Sequence, residues 1–284
     1  MLKRRSFFMV IFLISVSPAL GGVMSGTDPV KSVGIFSNFG ENAGKSFTGN
    51  RAWLQAAGVA ATALLIATDT DYRVHNYFRN HRAAGRKFHS VVVTGSLLTP
   101  LTGAVCYLSG AAGSDSELEG LGSALLQAQV ISSLHVLALK ALTGRPHPDP
   151  DTGEDMRKLS RRFRFGFLRG GLFWGWPSGH TASTMALVST LTAFYPGKPW
   201  LKIGGAALMG YTIVGVSAVG GGHMHWFSDT IAAALMTYAI GHTVGSYYHD
   251  RIFHAGASAA KPERLMMSAD PMAAFPMIRL AYAF

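Results

Sequence analysis

Three short stretches carry residue types that can do chemistry on a phosphate ester. Pro177-Ser178-Gly179-His180 brings a hydroxyl, an imidazole and backbone amides to the start of an apolar segment. His225 and Asp229 stand four residues apart, so on a helix they share one face. Lys140, Arg145 and His147 close another apolar segment in Lys140-Ala141-Leu142-Thr143-Gly144-Arg145-Pro146-His147-Pro148. A carboxylate that holds one ring nitrogen of a histidine orients the other as a nucleophile and stabilises the charge that develops there. Ser178 and Gly179 fall where a helix start leaves N–H groups unpaired at the positive end of its dipole, a ready anion site. Pro177 suits that position, because a helix start tolerates its missing N–H. His180 projects from the first turn toward the same anion, and Lys140 and Arg145 add positive charge for phosphate oxygens.

Taken singly, each stretch reads as ordinary structure: a helix start, a surface His–Asp pair, a lysine reaching for an interface. Their joint occurrence becomes meaningful through the elements that position them. Six apolar segments run over residues 52–68, 89–110, 121–142, 181–195, 200–220 and 227–247. Consecutive helices alternate direction. The end of the third, the start of the fourth and the start of the sixth therefore share one face, and that is where the three stretches lie. A metal site is the competing reading, because His223, His225 and Asp229 cluster locally with His180 and His147 in reach. We expect no metal and no cofactor.

Composition places these segments in a membrane. Only 14% of the 284 residues are charged, against about 25% in soluble domains, and several apolar runs approach the ~20 residues that cross a bilayer. The formal charge is +10. The basic residues lie between apolar runs and not on one soluble face, so we expect no nucleic-acid partner, and anionic lipid or phosphate-bearing partners instead. The single cysteine, Cys106, excludes an intrachain disulfide framework. Gly40-Glu41-Asn42-Ala43-Gly44-Lys45-Ser46 mimics a phosphate loop but has three residues between its glycines where four are needed, so it is rejected.

The expected architecture is all-α: a multi-pass helical membrane bundle of about six core helices behind an N-terminal signal or anchor. Lys3-Arg4-Arg5, an apolar stretch from Phe7 to Val16 and small residues at Ala19 and Gly21 give residues 1–21 that layout. Residues 22–50, rich in Gly, Ser and Asn, are expected to be irregular and translocated. The domain follows over 51–250, then a tail over 251–284 with no assigned function. Asp71 to Arg82 interleaves aromatics with arginines, as an amphipathic interfacial helix does. The aromatic, glycine-rich stretch from Gly166 to Trp176 suits a cover for the site or a contact with lipid.

With these residues in view, roughly residues 52–248 resemble the type 2 phosphatidic acid phosphatase superfamily, which also holds bacterial acid phosphatases and vanadium haloperoxidases. The family motifs read Lys-x6-Arg-Pro, Pro-Ser-Gly-His and Ser-Arg-x5-His-x3-Asp. The middle motif is complete here. In the first, Lys140 is followed after six residues by His147-Pro148, so a histidine stands at the arginine position. In the third, His225 and Asp229 match, but the Ser-Arg pair aligns with Ala218-Val219, or with Ser217-Ala218 if one residue is skipped. The resemblance implies that His225 forms a phosphohistidine, that Asp229 orients it and that His180 protonates the leaving oxygen. It implies that Lys140, Ser178 and Gly179 hold phosphate, with Arg145 or His147 assisting. His223 or an arginine of residues 157–169 is the candidate to compensate for the lost guanidiniums.

The expected function is therefore a metal-independent phosphatase of a membrane lipid, with a phosphorylated lipid and the membrane as partners and no obligate protein partner. Phosphatidic acid, phosphatidylglycerol phosphate, an isoprenyl diphosphate and a lipid A phosphate are the candidate substrates. The alternatives are a weak or inactive lipid-phosphate binder of the same fold, motivated by the missing arginines, and a transporter, disfavoured because the ionisable groups cluster at segment ends. Arginines on the site-side loops point to a cytoplasmic site by the positive-inside rule. The resemblance instead favours a periplasmic site in the bacterial inner membrane, and that is the expectation adopted.

Overall fold

A computed structural model describes residues 33–88, 90–149, 153–172 and 175–254, together with two strands near the C-terminus. The leader over 1–21, residues 22–32, Phe173 and Trp174 lie outside the described residues. In chain order the helices are α1 (Phe39–Thr48), α2 (Trp53–Ala67), α3 (Thr70–Asn80), α4 (Arg82–Arg86), α5 (Val91–Gly113), α6 (Ser116–Thr143), α7 (Met156–Ser160), α8 (Gly179–Phe194), α9 (Pro199–Gly222) and α10 (Phe227–Phe253). The strands β1 (Arg264–Ala269) and β2 (Ile278–Ala283) pair antiparallel, with Arg264 opposite Ala283. The domain is helical, and each of the six apolar segments coincides with a long helix: α2, α5, α6, α8, α9 and α10.

The centre of the molecule is a three-helix seam. Leu121, Leu125 and Ile131 of α6, Leu187 and Phe194 of α8, and Ile240 and Val244 of α10 form one buried cluster. Helices α8 and α10 approach closely because glycine faces the contact. A Cβ on Gly241 would fall 2.0 Å from Ser189 Oγ, and one on Gly245 would fall 2.6 Å from the Thr190 carbonyl oxygen. Small residues at such a seam let backbones meet where side chains would hold them apart. Side-chain caps mark the starts: Asp115 accepts from the Leu118 amide at 3.0 Å to begin α6, and Ser178 accepts from the Thr181 amide at 3.3 Å to begin α8.

Helix α6 and the Pro199–Val219 part of α9 are long and apolar enough to cross a membrane. The outward face of α5 carries Leu97, Leu101, Val105 and Leu108 at helical spacing, all between 48% and 65% exposed. An aligned apolar stripe of this kind is unusual on a surface that meets only water.

Two expectations need correction. Residues 39–48 are not irregular but form α1, which buries Asn42 and Ser46. The Asn42 amide donates to Gln127 Oε1 at 2.7 Å, and Gln127 in turn donates to the carbonyls of Ile35 and Ser37. The helix is held by a polar partner 85 residues away, which local pattern does not reveal. The C-terminal tail also departs from an all-α reading, because it contains the β1–β2 pair. The basic, aromatic stretch after Thr68 forms helices α3 and α4. They do not lie apart from the domain: α3 buries Asp71 and His75, and a Cβ on Gly85 of α4 would meet the Ala218 carbonyl of α9 at 2.4 Å.

Candidate active site

The ends of α6, α8 and α10 meet through backbone and side-chain bonds. Thr143 Oγ1 donates to the Trp176 carbonyl at 3.2 Å, Lys140 Nζ to the Gly175 carbonyl at 3.1 Å, and the Ser178 amide to the Asp229 carbonyl at 3.0 Å. The last turn of α6 is closed by the loop that follows it. The amides of Arg164, Gly166 and Leu168 donate to the carbonyls of Thr143, Leu142 and Ala141, satisfying groups a helix end leaves open. Trp226 Nε1 donates to the Pro146 carbonyl at 2.8 Å and ties the Arg145–His147 turn to the residue beside His225.

His225 and His180 face one another across this junction, with ring centroids 6.3 Å apart. Both line a cavity of about 320 Å³ together with Lys140, Gly179 and Leu172. His225 Nδ1 lies 3.1 Å from Asp229 Oδ2. The same oxygen accepts the Trp226 amide at 3.1 Å, so Asp229 closes the first turn of α10 as it orients the imidazole. With Nδ1 committed to the carboxylate, Nε2 is the ring nitrogen left for a substrate. Burial pushes the pKa of His225 down, opposed by its bond to Asp229. A Cβ at Gly179 would meet nothing within 4 Å, so there is open space beside the helix start.

Four expected phosphate contacts need separate treatment. Lys140 is buried and lines the cavity with Gly179. Ser178 is buried behind it: its amide is taken by Asp229 and its hydroxyl caps α8, which leaves the Gly179 and His180 amides as the helix-start donors beside the cavity. His147 is half-buried, does not line the cavity and has its pKa lowered by burial, so at neutral pH it lacks the permanent charge of a guanidinium. Arg145 departs from the expectation of a phosphate contact. Its guanidinium is turned inward, donating to Asp229 Oδ1 at 2.5 Å, Asp71 Oδ2 at 2.6 Å, Ser228 Oγ at 2.7 Å and the Ser160 carbonyl at 2.5 Å. The guanidinium and both carboxylates are fully buried, where opposite charges are little screened.

Asp71 is the residue that sequence reasoning missed. It is 1% exposed and accepts from the Ser228 amide at 2.7 Å and the Ser228 hydroxyl at 2.6 Å in addition to Arg145. It thus caps the start of α10 from another helix. One acid within a basic stretch gives no periodic signal, and only its tertiary partners distinguish it. Three of the arginines expected to compensate, Arg157, Arg161 and Arg162, are committed elsewhere. Arg157 and Arg161 bind Asp69, whose carboxyl is held well below the usual range by the Arg157 hydrogen bond above all, and Arg162 binds Glu154. His223 stands beside His75, ring centroids 5.9 Å apart, and does not line the cavity.

Size does not mark this site. A larger cavity of about 570 Å³, lined by residues that include Arg51, Trp53 and Tyr238, holds none of the motif residues. Nor does the site coincide with grouped metal donors: His249, Asp250 and His254 bring donor atoms within 4.8 Å of one another, but near the far end of α10. What the His180–His225 junction offers is a buried, oriented imidazole, a second imidazole opposite and a lysine beside them. That is equipment for nucleophilic displacement at phosphorus.

The model of the PAP2 superfamily matches residues 120–253, from α6 through α10. That match, over a little less than half of the chain, supports membership of the PAP2 superfamily, whose members are generally phosphatases that hydrolyse a phosphoric ester. No curated protein and no solved structure matches it significantly.

Proposed function

We propose that this protein is a metal-independent phosphatase that hydrolyses a phosphomonoester or diphosphate of a membrane lipid through a phosphohistidine intermediate. The observation that carries the reading is the His225–Asp229 pair facing His180 across a cavity that also holds Lys140. His225 Nε2 attacks phosphorus, the bond from phosphorus to the alcohol oxygen breaks, and that oxygen takes a proton from His180. Water then attacks the phosphohistidine and gives its proton to His180, and the P–N bond breaks to release inorganic phosphate. Lys140 and the helix-start amides of Gly179 and His180 stabilise charge on the equatorial oxygens. Asp229 steadies the charge on His225, and Arg145 holds Asp229 in place.

The six long helices form a multi-pass bundle in the bacterial inner membrane, with the site at the periplasmic interface. The exposed apolar stripe on α5 and the two span-length helices support membrane placement, and the family resemblance supports the face. The second reading is a binder of lipid phosphate with little turnover, and it rests on one observation: His147 and Val219 stand where the family carries arginines.

Phosphate release from phosphatidic acid, phosphatidylglycerol phosphate, an isoprenyl diphosphate and a lipid A phosphate, measured in EDTA, tests the main reading. Labelled phosphate retained on wild-type protein after alkaline quench, and absent from His225→Ala, is the expected result. No release from any substrate, or release indistinguishable between the two proteins, sinks it. Binding without release favours the second reading.

A further inference from the structure

The cavity that holds His180 and His225 continues beyond them, between α5, α6 and α8. Its floor on α6 is a helical stripe, Gln129, Ser132, Ser133, Val136, Leu137 and Lys140, that runs away from the phosphate end. From Lys140 to Gln129 that stripe covers ~16 Å at the ordinary helical rise. Ser183 of α8, three residues beyond His180, and Ser96 of α5 complete the polar lining. Polar side chains on a helix apolar enough to cross a membrane are costly there and need a use.

Part of this lining is already organised. Ser183 Oγ donates to Gln129 Oε1 at 2.9 Å, and Gln129 Nε2 donates to Ser133 Oγ at 2.9 Å. Ser132 is different. It is 1% exposed and lines the cavity, and its hydroxyl has no partner among the described residues. Neighbouring helical hydroxyls, such as Thr143, Thr184 and Ser189, return their protons to the carbonyl one turn earlier. Ser123 and Thr237 also bury unpaired hydroxyls, but only Ser132 of these three lines the cavity. An unpaired buried hydroxyl costs about 1–3 kcal/mol, a cost that a ligand oxygen at this place would remove. Val136, Leu137 and Leu172 are the apolar side chains of the same lining, and Leu137 and Leu172 are partly exposed.

We propose that the Gln129–Ser132–Ser133–Ser183 cleft is the subsite for the alcohol that leaves phosphorus, and that this alcohol is hydroxylated next to the phosphate, as a glycerol or a sugar is. The inference rests on the phosphatase reading above and narrows its substrate. A phosphate held at Lys140 and Gly179 places its leaving oxygen beside His180, and the next atoms of the leaving group enter the serine-lined floor. The lipid tails leave past the exposed Leu137 and Leu172. A plain hydrocarbon alcohol would instead bury the Ser132 hydroxyl against carbon and leave it without a partner.

The test compares three substrates with full-length protein in detergent: a glycerol-headgroup lipid phosphate, a glucosamine-type lipid phosphate and a long-chain alkyl phosphate. Wild type is expected to show a kcat/KM at least about tenfold higher for a hydroxylated substrate than for the alkyl phosphate, one well-made hydrogen bond's worth or more. Ser132→Ala and Gln129→Leu are each expected to lower that preferred kcat/KM by about tenfold while leaving the alkyl phosphate rate unchanged, which also shows that both variants fold. Whichever hydroxylated arm responds identifies the glycerol or sugar source. Equal wild-type rates on all three, or variants that weaken every substrate alike, overturn the subsite but not the phosphatase. Wild type inert on all three overturns the subsite, and inertness on an isoprenyl diphosphate as well overturns the phosphatase reading with it.

Discussion

His225 is buried in a site that it shares with Lys140, and burial disfavours its charged form, so its pKa lies below the ordinary histidine value. The neutral imidazole is the attacking form. Activity should therefore fall as pH drops through that lowered pKa, so the acid limb of kcat/KM is expected below pH ~6.5. A limb above that value would contradict the geometry. His147 offers a second test at this scale, because at neutral pH it lacks the charge of the arginine whose position it holds. His147→Arg is expected to lower KM by about tenfold, and an unchanged KM would show that the position does not reach the phosphate. Lys140 and Arg145 separate binding from architecture. Lys140→Met should lose ~10²–10³ in rate with little change in thermal stability. Arg145→Met breaks a buried pair on both Asp71 and Asp229 and should cost about 3–5 kcal/mol, read as a fall in Tm.

At the scale of elements, the site is a meeting of helix ends, and close backbone approach sets its dimensions. Helix α5 contributes no motif residue, yet Gly95 brings it against His180: a Cβ there would fall 2.9 Å from His180 Cβ. Gly95→Val is expected to displace His180 and lower kcat by tenfold or more, on the order of the cost of a misplaced catalytic group, while phosphate binding through Lys140 persists. Unchanged kcat would mean that α5 is free to move. Asp71 and Arg145 show a related economy. One arginine links α3, α7 and α10, and Asp71 also caps the helix whose first turn carries Asp229.

The whole molecule presents an apolar stripe on α5 and a polar junction at one end of its long helices. The protein should sediment with membranes and require detergent for release; recovery in the soluble fraction would contradict the proposed location. A reporter fused after Asp250, near the end of α10 away from the motifs, should report the cytoplasm if the site faces the periplasm. Activity of a periplasm-specific reporter there would invert the assignment.

The sequence by itself determined the six apolar segments, the order of the three motifs and their common face, because apolar run length and helix alternation are local and additive properties. It also marked His180, His225 and Asp229 through residue type and spacing. Only the tertiary structure decided that α1 is a helix, that Arg145 is turned inward from the cavity, that Asp71 caps α10 and that Ser132 stands unpaired in a cleft beyond the acid. Each of these depends on a partner far along the chain. A charge buried beside two carboxylates obeys its surroundings, and no spacing rule encodes where those surroundings come from.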